Sequence, residues 1–176
     1  MTATAGTLWD TIADEAGRES VLWAAALRPP DKRDALPVFS PLGEARFALG
    51  LETIYEGYLL HYGRPRLFSP EDRDTSVLLG DYLYAHGLVR IAQLGDVGVV
   101  ADLAELISLC AQLRADGQVD DGPLWAATVA LLGAGDERLA DARAATSRGG
   151  LLDAATSVAG RDAVARALAL HRERVH

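Results

Sequence analysis

Apolar residues recur at three- and four-residue spacing through most of the chain, and no stretch alternates apolar with polar in the manner of a half-buried strand. Leu8, Ile12 and Ala16 share one helix face, and Val21, Leu22 and Ala25 continue it past Gly17, so a first helix is predicted over 7–27. Pro29, Pro30, Pro37 and Pro41 make 28–41 a connector, because proline lacks an amide proton and disfavours helix in the residue before it. A second helix is predicted over 42–62, with Phe47, Leu51, Ile54, Tyr55, Tyr58 and Leu59 as a wide buried stripe and Gly63 and Pro65 as its stop. For the third, Ser69 reads as the cap, Pro70 as the first helical residue, and Glu71 and Asp72 as acids facing the positive end of the dipole. Its predicted core row is Leu78, Tyr82, Ala85, Val89 and Ala92, ending near Gly95.

A fourth helix is predicted from Val97 to Ala115, with Val99, Leu103, Leu106, Cys110 and Leu113 inward and Gly117 as its stop. A helix over 123–132, a short one capped by Asp136 and running to about Thr146, and a last one over 151–175, weakened at Gly160, complete the series. In that last helix Leu152, Val158, Val164 and Leu168 are the expected core contacts. Helices on this pattern with short loops bury their stripes most simply as an all-α, antiparallel bundle of six or seven helices. The 176 residues suit a single domain over 1–176 that needs no disulfide or metal to hold a core.

Composition narrows the function classes. The chain carries 17 Lys plus Arg against 25 Asp plus Glu, a formal net charge of -8, which argues against nucleic acid as its main partner. No apolar run approaches the ~18 residues of a membrane span, and residues 1–8 lack the basic and apolar regions of a signal peptide. A cytoplasmic location is the resulting expectation. Cys110 is the only cysteine, which excludes an internal disulfide and a Cys-based zinc site. Lys32 is the only lysine among many arginines, so a single arginine carries little information here.

Most candidate chemistry reads as structure. His61, His86, His171 and His176 share no metal-ligand spacing, and the last two fall at the C-terminal end. Cys110 lies within an apolar stripe and reads as a packed thiol. Gly133 and Gly135 follow no strand and precede no Lys-Ser/Thr, so they match neither phosphate-loop pattern. Asp120 and Asp121 read as a loop ending in a helix cap, and the acids from Glu71 to Asp74 as a first helical turn. Glu52 and Glu56 stand four apart beside Leu51 and Tyr55, at the border of an apolar stripe. Two carboxylates so placed can share a divalent cation, or form a solvated helix edge.

The segment from Thr75 to Ala92, TSVLLGDYLYAHGLVRIA, resembles a signature of the trans-isoprenyl (polyprenyl) diphosphate synthases, with Leu78, Gly80, Asp81, Tyr82, Leu83 and Ala85 carrying the match. The helix over 99–113, the Asp116-Gly117 pair and the Leu-Leu-Gly-Ala ending at Ala134 are similar to the elements that follow it in that family. The resemblance implies an isoprenoid-synthase-like helical fold over about 42–145. In that family magnesium ions, held by two Asp-rich motifs on facing helices, neutralise a departing pyrophosphate.

Much of that equipment is missing. Glu52 and Glu56 occupy the outer positions of the first motif, but Thr53 replaces its second acid. Arg64 and Arg66 are what remains of the basic stretch that follows, and are the candidates for holding phosphate. The family's lysine position falls on Asp121-Gly122, and the acids after Ala145 (Asp153, Asp162 and Glu173) form no cluster. No catalytic residue is assigned. Magnesium is expected only if the Glu52/Glu56 remnant is active; otherwise no cofactor is. The chain resembles the small non-catalytic subunit of a two-component synthase, whose partner would be a catalytic prenyl diphosphate synthase subunit or a like copy of itself. The alternatives are a helical interaction or apolar-ligand module, and a minimal magnesium-dependent enzyme on diphosphates.

Overall fold

The computed structural model describes residues 5–118, 120–133, 139–141 and 148–175. The helices are α1 (Ala5–Glu19), α2 (Val21–Ala26), α3 (Ala48–Tyr62), α4 (Arg73–Ala92), α5 (Val97–Ala115), α6 (Gly122–Leu131), α7 (Arg148–Ala159) and α8 (Arg161–Arg174). Among the described residues there is no strand, only single bridges between Leu27 and Phe68 and between Gly63 and Val175. The fold is an all-α helical bundle. The short helix expected up to Thr146 falls largely outside the described residues.

At the centre lies α6, whose ten residues are all buried. It packs against α5, α7, α8 and the 3-10 turn Ser40–Leu42 of the connector. The connector is itself part of the core, since Val38 and Phe39 are buried. Proline denies it a long helix, and two 3-10 turns, Pro30–Lys32 and Ser40–Leu42, replace one.

The tightest pairing is the antiparallel one between α3 and α4, and glycine makes it. A Cβ on Gly57 would lie 2.8 Å from the carbonyl oxygen of Gly80, and one on Gly87 would lie 2.5 Å from Cγ1 of Ile54. Gly50 and Gly57 on α3 therefore face Gly87 and Gly80 on α4, close enough that a Cβ on Gly50 would also lie 3.2 Å from the carbonyl oxygen of Gly87. α1 is held to α4 by Glu15, which accepts from Nε2 of His86 at 2.8 Å and from Nη2 of Arg90 at 2.7 Å.

Four expectations need correction. The first helix breaks at Ser20, whose hydroxyl accepts from the amide of Leu22 and caps α2. The second begins only at Ala48, behind a 3-10 turn at Ala45–Phe47. α4 starts at Arg73, capped by Asp72, whose Oδ1 accepts from the amide of Thr75 at 2.7 Å, and not at Ser69-Pro70. The last helix is two, separated by Gly160 with a φ of 85°.

The inward face of α4 is also different. Leu79, Gly80, Leu83, Gly87 and Ile91 are buried, whereas Leu78 and Val89, expected in the core, are 57% and 50% exposed. Val158 is exposed as well, while Val164 and Leu168 are buried as expected.

Candidate functional site

α3 carries polar side chains into the interior on two sides. Glu52 and Glu56 point to one of them, and both are buried rather than at a solvated helix edge. Arg66, from the loop after α3, enters between them with no exposed side-chain surface. Its Nη1 donates to Glu52 Oε2 at 2.6 Å and its Nε to Glu56 Oε2 at 2.9 Å.

The other two carboxylate oxygens have partners as well. Glu56 Oε1 accepts the backbone amides of Arg66 and Leu67 at 2.8 and 2.7 Å, and Glu52 Oε1 accepts from the hydroxyl of Ser40 at 2.5 Å. Arg66 also donates to the carbonyls of Leu36 and Glu52, and its guanidinium lies 4.5 Å from the ring centre of Trp9 and 5.0 Å from that of Tyr55. Burial alone would lower the pKa of Arg66, but the two carboxylates outweigh it and push it up. Every polar partner here comes from the chain itself, so a buried charge is matched at each atom.

The other side of α3 presents Tyr55 and Tyr58 to a second network. Its hub is Asp121, fully buried at the start of α6. Oδ2 accepts from the Tyr58 hydroxyl at 2.7 Å and from Arg114 Nε at 3.1 Å, and Oδ1 lies 3.0 Å from Nε2 of His171. Nδ1 of His171 lies 2.9 Å from the Tyr55 hydroxyl. Burial opposes charge on Asp121, but the hydrogen bonds from His171, Tyr58 and Arg114 hold its carboxyl below the usual range. Burial pushes the hydroxyls of Tyr55 and Tyr58 well up, so both stay protonated. Trp125 stacks on Phe39 at 5.5 Å and meets Tyr55 edge-on at 5.1 Å, sealing the network from above. Four helices, α3, α5, α6 and α8, are thus tied at one point.

A hollow of about 1010 Å³ lies outside this core, beside the loop from Gly63 to Pro70. Backbone bonds hold that loop on both sides: the amide of Ser69 donates to Ala26 O at 2.7 Å and that of Arg64 to Arg174 O at 2.9 Å. The ends of α3 and α5 and the start of α4 complete the walls.

The structure thus brings Glu52, Glu56 and Arg66 together, and separates Arg66 from Arg64. Arg64 is exposed, lines the hollow and donates to the carbonyl of Glu173. Of the signature residues, Gly80 is a backbone contact and Leu83 a core residue, while Leu78, Asp81 and Ala85 are exposed. Asp81 stands 3.2 Å from His61, and Tyr82 stacks on His86 at 5.4 Å. Among the described residues no group of three His, Cys, Asp or Glu side chains gathers as a metal site.

Asp121 and His171 form the centre that sequence reasoning missed. They lie 50 residues apart. Asp121 occupies a helix-cap position without making the cap hydrogen bond, and His171 belongs to an intact last turn. Compared with known proteins, the chain matches no family model, no curated protein and no solved structure.

Proposed function

We propose that the chain is a non-catalytic, isoprenoid-synthase-like helical subunit that binds a catalytic prenyl diphosphate synthase and supports it. The observation that carries this reading is the outer face of α4. Leu78, Ala85, Val89 and Ala92 form an exposed apolar row on a helix whose opposite face is packed into the core. Beyond the end of that helix, Leu94 and Val97 are also 44% and 80% exposed. An isolated exposed leucine is ordinary, but a row at helical spacing is what a second helix covers. The same helix carries the family-like signature, and Leu78 and Ala85 belong to both.

The carboxylates speak for a supporting role rather than for chemistry. In the resemblance, Glu52 and Glu56 stand where magnesium ligands would be, and here Arg66 supplies their positive charge. A divalent cation would have to displace a guanidinium held by both carboxylates. Among the described residues no helix is long and apolar enough to cross a membrane.

Co-expression with a full-length trans-prenyl diphosphate synthase from the same genome tests the reading. The two chains are expected to co-purify, and the product chain length to change when this chain is present. A chain that stays monomeric and leaves the products unchanged overturns the proposal.

A further inference from the structure

We infer that the hollow beside the Gly63–Pro70 loop docks an acidic peptide segment of a protein partner, one with carboxylates on either side of an apolar side chain. A second hollow of about 320 Å³ shares Arg28, Arg64 and Pro65 with the first, so the two adjoin at the loop. Arg73 belongs to the first hollow and Lys32 to the second. The cations are thus spread over both hollows instead of gathering at one point.

The carboxylates in the walls do not cancel this charge. Asp72 is occupied at the start of α4, where it accepts from the amide and the hydroxyl of Thr75 at 2.7 and 2.8 Å. Asp34 is paired with Arg174, which leaves Glu173 against Arg28, Lys32 and Arg64. Arg28 and Arg73 make no side-chain hydrogen bond or ion pair among the described residues. Arg73 is also the first residue of α4, where the helix dipole opposes a cation, so the helix does not account for its place. Such a positive surface runs against a chain of net charge -8.

The backbone favours a peptide over a compact anion. A phosphate is held well by converging backbone amides, as at a helix start, and this loop turns its amides inward. Those of Gly63, Arg64 and Ser69 donate to the carbonyls of Leu59, Arg174 and Ala26, and those of Arg66 and Leu67 to Glu56. Pro65 and Pro70 have no amide proton. At the start of α4 the Asp72 carboxylate takes the amide of Thr75 and sets a negative charge where such an anion would rest. What faces the hollows is a series of separate guanidinium and ammonium groups, which suits carboxylates at separate points along a chain. Pro65, Pro70 and Ala111 add an apolar stretch to the wall, against which a leucine-sized side chain fits. This surface is separate from the exposed row on α4, and the inference does not rest on the subunit role.

Fluorescence anisotropy of the full chain with a labelled peptide alternating glutamate and leucine tests it. The peptide is expected to bind, and more weakly as salt is raised. The same peptide with glutamine for glutamate should bind about tenfold more weakly or less still. Equimolar inorganic pyrophosphate should leave the complex intact. Arg28→Gln and Arg73→Gln are each expected to weaken the acidic peptide about threefold, and the double variant about tenfold. Arg161→Gln, exposed on α8, is the control for general charge and should change nothing. Failure of the acidic peptide to bind, equal binding of the glutamine peptide, displacement by equimolar pyrophosphate, or a double variant that binds like the parent chain overturns the inference.

Discussion

Two groups of arginines lie on either side of the same loop, and their surroundings could hardly differ more. Arg66 is sealed: two carboxylates, two carbonyls and two aromatic rings surround it, and no side-chain surface reaches water. Arg28 and Arg73, facing the hollow, have no such partners among the described residues. Arg114 stands between, binding Asp121 inward while its flank lines the hollow. The same side chain thus serves as an internal counterion, as a hinge between core and surface, and as a surface donor. What decides its role is the number of acceptors the fold supplies.

Stability measurements can break or sharpen that ordering. The largest effect is expected for Arg66→Met, which strands two buried carboxylates and should destabilise by about 3–5 kcal/mol in chemical denaturation. A loss below about 1 kcal/mol would show that the cluster is not sealed. Next comes Asp121→Asn, which keeps the shape but removes the charge that Arg114 and His171 share; about 2 kcal/mol is expected.

This second substitution also has a pH signature. The Asp121 carboxyl is held below its ordinary value, so the stability it supplies is complete above about pH 4, near the unfolded value, and is lost as pH falls through the folded one. Unfolding followed between about pH 5 and 2 should therefore show a shallower acid slope in Asp121→Asn than in the parent chain. An unchanged slope would mean that other acids, such as Glu15 and Asp34, whose carboxyls are also lowered, carry it. At the small end, Arg28→Gln and Arg73→Gln should shift stability by less than about 0.5 kcal/mol. A larger loss would place these arginines in the fold's framework rather than at a free surface.

The sequence revealed each kind of element to a different degree. α5 was legible as an element of about the right extent, Val97–Ala115, because its apolar residues repeat at three and four and Gly117 stops it; the Asp96 cap came only with the structure. The start of α4 was misplaced because Ser69-Pro70 fits the cap-and-proline pattern while Asp72, three residues on, makes the bond. Its buried face was misjudged for a different reason. The helix carries two interleaved rows, and the inward one is partly glycine, which a count of apolar side chains overlooks although Gly80 and Gly87 make the closest contacts.

The site was legible only where it was local. Glu52 and Glu56 could be put on one helix side, but Arg66 reaches them by a loop path that periodicity does not encode. Nothing in the spacing joins Asp121 to His171, since their meeting is fixed by the packing of α6 on α8. Tyr55 and Tyr58 fill the core and also hydrogen-bond within it, two roles that an apolar stripe leaves indistinguishable.

The most direct test of the proposed subunit role is a pyrophosphate-release and product-length assay with magnesium and farnesyl diphosphate as the allylic substrate. Three arms are compared: this chain alone, the full-length synthase alone, and both together, the last repeated with Leu78→Asp and Val89→Asp on the exposed row of α4. The account predicts no release by the chain alone, a changed product length in the mixture, and loss of that change in both variants. Release by the chain alone that disappears in Glu52→Gln, or a mixture identical to the synthase alone, would contradict it.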